Sequence, residues 1–445
     1  MGIIKYITIF LIFSVFRINS YTQSLRWVEL PNSPYTSWRY DDIFFVNAYT
    51  GWAVYNTSFA SNQGYVYKTT NGGFNWLLQY QTTAYLRAVG FADSLNGWIG
   101  IYDTTIGIHK PLIQTTDGGI NWLIVSNITG PVPKGLCGIS VVNQSVIYAC
   151  GRIETPAYVI KTTNGGMNWL SIDMSGLVSC LVDCNFSSVD SGFVVGGTGI
   201  YPNQRAKILF TSNGGLNWVV KYESAVIDAS CWKIGMAPNI VYASLNYTGM
   251  QLQFLKSTNA GNNWIKTIYN VGGNGYFTQG IGFLNSSSGW LGGSINSYET
   301  TDGGITWYIS DIMHNVNRVR FVNDTLGYAV GRKIYKYTAD QSIGINNNNT
   351  SFPADYDLNQ NYPNPFNPMT SIKFYVPKFS RIKIIIFDIL GNEVLVLLNN
   401  YLSGGPYQIM WNGRDKDNYE VSSGVYFYRL ETEKFIETKK MVLIR

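Results

Sequence analysis

TTNGGFNW (69–76), TTDGGINW (115–122), TTNGGMNW (162–169), TSNGGLNW (211–218), STNAGNNW (257–264) and TTDGGITW (300–307) are six copies of one eight-residue string. Their tryptophans, Trp76, Trp122, Trp169, Trp218, Trp264 and Trp307, stand 46, 47, 49, 46 and 43 residues apart. A period of roughly 40–50 residues suits one four-stranded propeller blade. The string reads as a turn between two strands. Its third residue (Asn71, Asp117, Asn164, Asn213, Asn259, Asp302) can close an Asx-type turn by bonding backbone groups two residues on. The glycines after it take φ > 0 without steric cost. Ala260 replaces the first of them in the fifth copy. Glycine is therefore expected to be required only at the second position: Gly73, Gly119, Gly166, Gly215, Gly261 and Gly304. The Trp opens the next strand and is expected to pack its apolar face between blades.

A second motif recurs about 20–25 residues before each string, counted within the same period. Its copies are FVNAYTGWAV (45–54), FADSLNGWIG (91–100), VVNQSVIYAC (141–150), FSSVDSGFVV (186–195), MAPNIVYAS (236–244), FLNSSSGWLG (283–292) and FVNDTLGYAV (321–330). Two residues ahead of each stands a small or branched apolar residue: Ile43, Val89, Ile139, Cys184, Ile234, Ile281 or Val319. Gly90, Gly235 and Gly282 fill the place between, as expected of an inner strand pressed between neighbours. Seven motifs against six boxes predict seven blades, the last without a box. Residues 26–30 carry the strand that follows a box elsewhere, so they are expected to complete the last blade. Closure matters because an open propeller exposes strand edges.

Composition agrees with this all-β reading. Charged residues make up 13% of the 445 and aromatics 15%, with 45 glycines, which favours short strands and tight turns over helices. The net charge of +5 is spread without a basic stripe, so nucleic acid is excluded as a partner on electrostatic grounds. Lys5 followed by the apolar residues 7–16 reads as a signal peptide over residues 1–20. No later run approaches ~18 apolar residues, so no transmembrane segment is expected in the mature chain. Cys137, Cys150, Cys180, Cys184 and Cys231 form no C-x-x-C pair, and His109 and His314 are the only histidines. No metal site and no cofactor are predicted. The cysteines are expected to be buried small hydrophobes or to form one chance disulfide, with Cys137 and Cys150 placed to be cross-strand neighbours and the odd count leaving at least one thiol free or intermolecular.

Residues 21–340 thus form the repeat domain, and the Asn-rich 341–360 a linker. Residues 361–445 open with N-Y-P-N-P-F-N-P, where alternating prolines forbid helix. They continue as short strands and turns of a small Ig-like antiparallel β-sandwich.

The strings resemble the Asp-box (BNR) repeats of sialidases, sortilin-type receptors and xyloglucanase-type glycosidases. With the G-W-A-V-like strand, residues 25–340 most resemble the photosystem II assembly factor propellers. The resemblance implies a fold, and it leaves function open because the box is a structural turn. The tail resembles the type A sorting domain of the type IX secretion system through N-Y-P-N-P-F-N-P, F-D-I-L-G-N-E-V, S-S-G-V-Y-F-Y-R-L and the terminal E-T-K-K-M-V-L-I-R. That implies recognition by the type IX translocon, a secreted or outer cell-surface location, and removal of the domain near the linker.

The expected function is a non-enzymatic interaction propeller that binds protein or glycan, with an extracellular sialidase- or xyloglucanase-like glycoside hydrolase as the alternative. No catalytic residue is assigned. Asp41, Asp42, Asp103, Glu154, Asp183 and Asp228 are carboxylates by position only. Ligand contact is expected on the face opposite the boxes, from Trp38, Arg39, Arg87, Arg152, Tyr201, Arg205, Trp232 and Arg318, because loops on a rigid scaffold carry function.

Overall fold

The structure, a computed structural model, describes residues 25–339 and 355–445, apart from 37, 59–62, 103–110, 153–154, 201–202, 228, 248–250, 271–277, 378–379, 403–404 and 418. The signal-peptide reading and most of the linker lie outside these residues. The described chain is strand and turn throughout, and it contains no helix long and apolar enough to cross a membrane.

Up to residue 339 the strands form seven sheets, six of four strands and one of five. Each antiparallel sheet begins with an inner strand: Arg39–Phe45, Tyr85–Phe91, Gly138–Val141, Cys180–Phe186, Ala229–Ala237, Ile281–Phe283 and Arg318–Asn323. Each inner strand touches the next, and the last touches the first, so the sheets close into a propeller ring. Arg26–Glu29 pairs antiparallel with Ile334–Thr338 and supplies the outer strand of the last sheet. Trp27 packs there against Trp290 and Tyr337. The third sheet gains its fifth strand from Ile128–Thr129, parallel to Trp169–Asp173.

Stacked rings hold adjacent sheets together. The phenylalanine ending an inner strand lies flat on an aromatic of the preceding sheet: Phe45 on Tyr328, Phe91 on Trp52 and Phe186 on Tyr148, each at 3.5 Å. The same rings meet the box tryptophan of their own sheet edge-on, as Phe45 does with Trp76 at 6.0 Å. This explains the glycine of the G-W pair. Gly51 stands opposite Phe45 in register, and a Cβ there would lie 2.6 Å from the ring.

The boxes differ from expectation in one detail. The third-position side chain does not bond the backbone two residues on: Asn71 Oδ1 accepts from Asn75 N, four residues on, at 2.9 Å. It is held there by the Thr69 hydroxyl, which donates to it at 2.9 Å and itself accepts from Gly73 N at 3.0 Å. Both glycine positions have positive φ. Ala260 sits at +56°, inside the left-handed well, whereas Gly261 at +81° also lies against Phe193, whose ring would be 2.6 Å from an added Cβ. The requirement at the second position is thus contact with the preceding sheet as well as φ. Ala260→Gly is expected to stabilise the protein by up to about 1 kcal/mol, and Gly261→Ala to cost about 2 kcal/mol or more. Urea unfolding midpoints of the two variants check this.

All five cysteines are buried free thiols, with no disulfide among them. Cys137 N donates to Cys150 O at 2.7 Å, so the two are neighbours across the hairpin.

Residues 355–445 form two sheets, of three and four strands. Their shared core contains Phe366, Ile372, Ile384, Trp411, Tyr428 and Met441. The N-Y-P-N-P-F-N-P segment is tied to the C-terminal strand: Phe366 N donates to Val442 O at 2.9 Å, and Ile444 N to Phe366 O at 3.0 Å. Asn361 is buried and donates to the Thr370 hydroxyl at 2.8 Å. The motif is therefore a structural latch that joins both ends of the tail.

Candidate functional site

Side chains in a regular strand alternate between faces. Four inner strands break that rule with a β-bulge at one equivalent place. Pairing slips between Tyr40 and Asp42, Leu86 and Ala88, Leu181 and Asp183, and Cys231 and Ile234. Bulges re-aim side chains, which is why they recur beside functional sites. Immediately before the seven branched residues of the motif stand Asp42, Ala88, Gly138, Asp183, Lys233, Gly280 and Arg318. One residue earlier come Asp41, Arg87, Cys137, Val182, Trp232, Gln279 and Asn317. These two rungs face the central channel, and most of their polar members are bound to one another across it.

Arg318 is the hub of the first rung. Its Nη1 and Nη2 donate to the two Asp183 oxygens at 2.7 and 3.0 Å, and its Nε donates to Asp42 at 2.9 Å. Arg320 donates to Asp42 through Nη2 at 3.0 Å and Nε at 3.2 Å. Each carboxylate also accepts a backbone N–H from the next sheet: Val89 N to Asp42 at 3.2 Å, and Ile234 N to Asp183 at 3.1 Å. Burial disfavours the Asp42 carboxylate, but Arg318 and then Arg320 outweigh it and hold its pKa well below the ordinary range. Asp183 is lowered in the same way, burial being overcome by Arg318 and Lys233.

The second rung is built on Asp41. It pairs with Arg87 and accepts from Asn56 Nδ2 at 2.8 Å, and its backbone carbonyl accepts from Asn317 Nδ2 at 2.8 Å. Arg39 lies 3.6 Å from Asp41 and donates to Gln279. Arg87 stacks over Trp232 at 5.1 Å, and Trp232 Nε1 donates to Asn317 at 3.3 Å.

Three carboxylates thus meet five cations: Arg39, Arg87, Lys233, Arg318 and Arg320. Lys233 is the odd member. It is only 1% exposed, and its Nζ has no hydrogen-bond partner among the described residues. Burial, followed by repulsion from Arg318, pushes its pKa down to about 7, with Asp183 opposing.

The channel opens into a funnel of about 550 Å³. Its wall includes Phe44, Met236, Phe283 and Phe321, and Arg318 and Arg320 lie at its inner end. The funnel ends at the turns that follow the inner strands. Those turns bond the boxes, as Tyr49 O accepts from Gly72 N and Leu95 O from Gly118 N, both at 2.8 Å. The cavity therefore opens on the box face, whereas the sequence pointed to the opposite one.

The residues expected to contact ligand fall into three groups. Arg39, Arg87, Trp232 and Arg318 sit in the channel wall, where they bind one another rather than project from loops. Trp38, 46% exposed, and Arg205 stay on the surface, and Arg152 is half-buried with its guanidinium 5.7 Å from the Tyr102 ring centre. Tyr201 lies outside the described residues, as do Asp103, Glu154 and Asp228. Sequence reasoning missed Lys233, Arg320, Asn56 and Asn317. One signal was available: a polar residue at the single repeat position just ahead of the branched apolar one.

The architecture is an all-β propeller followed by a small sandwich. Residues 360–444 match the family of secretion system C-terminal sorting domains. No curated protein sequence matches the chain. Among solved structures it is similar to YCF48 bound to D1 peptide, with 19% identity and a TM-score of 0.50 over 71% of this chain and 96% of that one. It is similar as well to an ancestral GH74 enzyme, with 14% identity and a TM-score of 0.51 over 91% of this chain but 59% of the enzyme. PorZ, a surface component of the type-IX secretion system of Porphyromonas gingivalis, shares 13% identity at a TM-score of 0.47, over 91% of this chain and 59% of that one. At these identities the first two likenesses show the fold alone.

Proposed function

We propose that the protein is a seven-bladed interaction propeller, secreted or displayed at the outer cell surface by the type IX route, that binds a ligand without chemical turnover. The sorting tail supports the route. The channel supports the absence of turnover, and one observation carries it: its carboxylates are committed to guanidinium groups. A paired-acid glycosidase needs two carboxyl groups with separated pKa values, one raised so that it can donate a proton. Asp42 and Asp183 are both shifted the other way. Each is bound to Arg318, which leaves neither as a free acid or nucleophile.

Two measurements test this. A chain lacking residues 360–445, expressed in a host with a working type IX system, is expected to accumulate in the periplasm while the full chain leaves the cell. Normal export of the truncated chain refutes the route. On a glycan array read alongside a reducing-sugar release assay, binding without release is expected. Release that disappears in Asp42→Asn overturns the non-enzymatic reading.

A further inference from the structure

The funnel has a chemical polarity of its own. Its wall mixes the apolar side chains of Phe44, Met236 and Phe321 with Asn185, Asn323 and polar strand backbone, and Arg318 and Arg320 make it cationic. Arg320 is 27% exposed and spends Nε and Nη2 on Asp42. Its Nη1 has no partner among the described residues, although the group stands at the inner end of the cavity. Around the channel as a whole, Arg39, Arg87, Arg318 and Arg320 stand against only Asp41, Asp42 and Asp183, so one guanidinium charge has no counterpart even without Lys233. The one carboxylate among the described lining residues, Asp324, is exposed at the mouth. Ala88, Gly138 and Gly280 place no polar group on that rung to compete for an anion. A volume of about 550 Å³ lies within the range of roughly 300–1,000 Å³ usual for small-molecule sites.

We infer that the box-face funnel binds a small molecule with an aromatic body and one terminal carboxylate, the body against the part-exposed Phe44, Met236 and Phe321 and the carboxylate on Arg320. This deepens the binding reading above and rests on it. A charge-assisted bond to a guanidinium in a partly dry site is stronger than a neutral one, so the carboxylate sets orientation and the wall supplies area. Lys233 and Arg318 add field at the anion without contact.

The test is calorimetric titration of the full chain with 4-phenylbutyrate. Saturable one-to-one binding is expected, weaker by about ten-fold or more for the neutral 4-phenylbutyramide and for Arg320→Gln. Arg320 also supports buried Asp42, so a second variant is needed that leaves the ion pairs alone. Asn185→Trp fills the funnel from its half-buried wall and is expected to abolish binding with an unchanged unfolding midpoint. The inference is overturned if the amide binds as well as the acid, or if Asn185→Trp binds normally. Absence of binding up to about 5 mM also overturns it, being weaker than any useful site. Tighter binding of a peptide ending in Phe would move the carboxylate to a chain terminus and overturn the small-molecule assignment. The array and the export assay read the broader function separately, so a silent funnel with a positive array defeats this inference alone.

Discussion

Arg318→Met should cost about 3–5 kcal/mol of folding free energy, because it leaves a buried carboxylate without its main partner. Asp42 keeps Arg320, but both Asp183 contacts at 2.7 and 3.0 Å disappear. The pair itself is weak evidence of net stabilisation, since desolvating two charges offsets most of their attraction. The penalty arises from breaking it on one side. A double variant, Arg318→Met with Asp183→Asn, should therefore recover a substantial part of the loss, by about 1–3 kcal/mol, as expected for groups in one network. Asn at 183 can still accept from Ile234 N. By contrast, Arg205→Ala at the exposed edge should stay within about 0.5 kcal/mol. Urea midpoints of the four proteins give the answer. Equal losses for Arg318→Met and the double variant would show that Arg318 acts through packing rather than charge.

The network also shows what the amino-acid sequence could reveal and what it could not. The ring was legible because its causes are local. Each box is a closed set of bonds from Thr69 to Asn75, and each G-W pair marks where Phe45 or its equivalent lies across a glycine. Such constraints repeat with every sheet and leave a period. The tail was legible for the same reason, with Phe366 and Asn361 fixed by contacts that demand those residue types. The channel was not legible, because its chemistry is the part of the repeat that does not repeat. Asp42, Asp183, Lys233 and Arg318 occupy one position in four sheets, yet each is intelligible only beside the others, up to 276 residues away. Reading Arg39, Arg87, Trp232 and Arg318 as loop residues failed because all four lie on inner strands, and at Arg87 and Trp232 a bulge turns the side chain inward. Loop length pointed to one face of the ring, whereas the funnel lies on the other, its walls being the strands themselves and the short turns after them.

Lys233 provides the second large effect, and its sign is opposite. An ammonium that is 1% exposed and unpartnered opposes folding as long as it is charged. Its pKa of about 7 in the folded state stands below the ordinary lysine value of 10.5. Between those two pH values the unfolded chain holds more protons, so the folded state gains on it as pH rises. Below pH 7 the whole penalty is present and this group adds no further slope. Lys233→Met retains the aliphatic stem and removes the charge, so it should stabilise the protein by about 3 kcal/mol at pH 6, under a ceiling of roughly 5 kcal/mol for the full displacement. That gain should shrink steadily above pH 7 and be nearly gone by pH 10. The variant also removes one of the five cations around the channel, leaving Asp183 to Arg318 alone, which already satisfies both its oxygens. Chemical unfolding of both proteins at pH 6, 8 and 10 tests the claim. A gain independent of pH would mean that Met simply packs better. No gain at pH 6 would mean that the charged amine has a partner in solution.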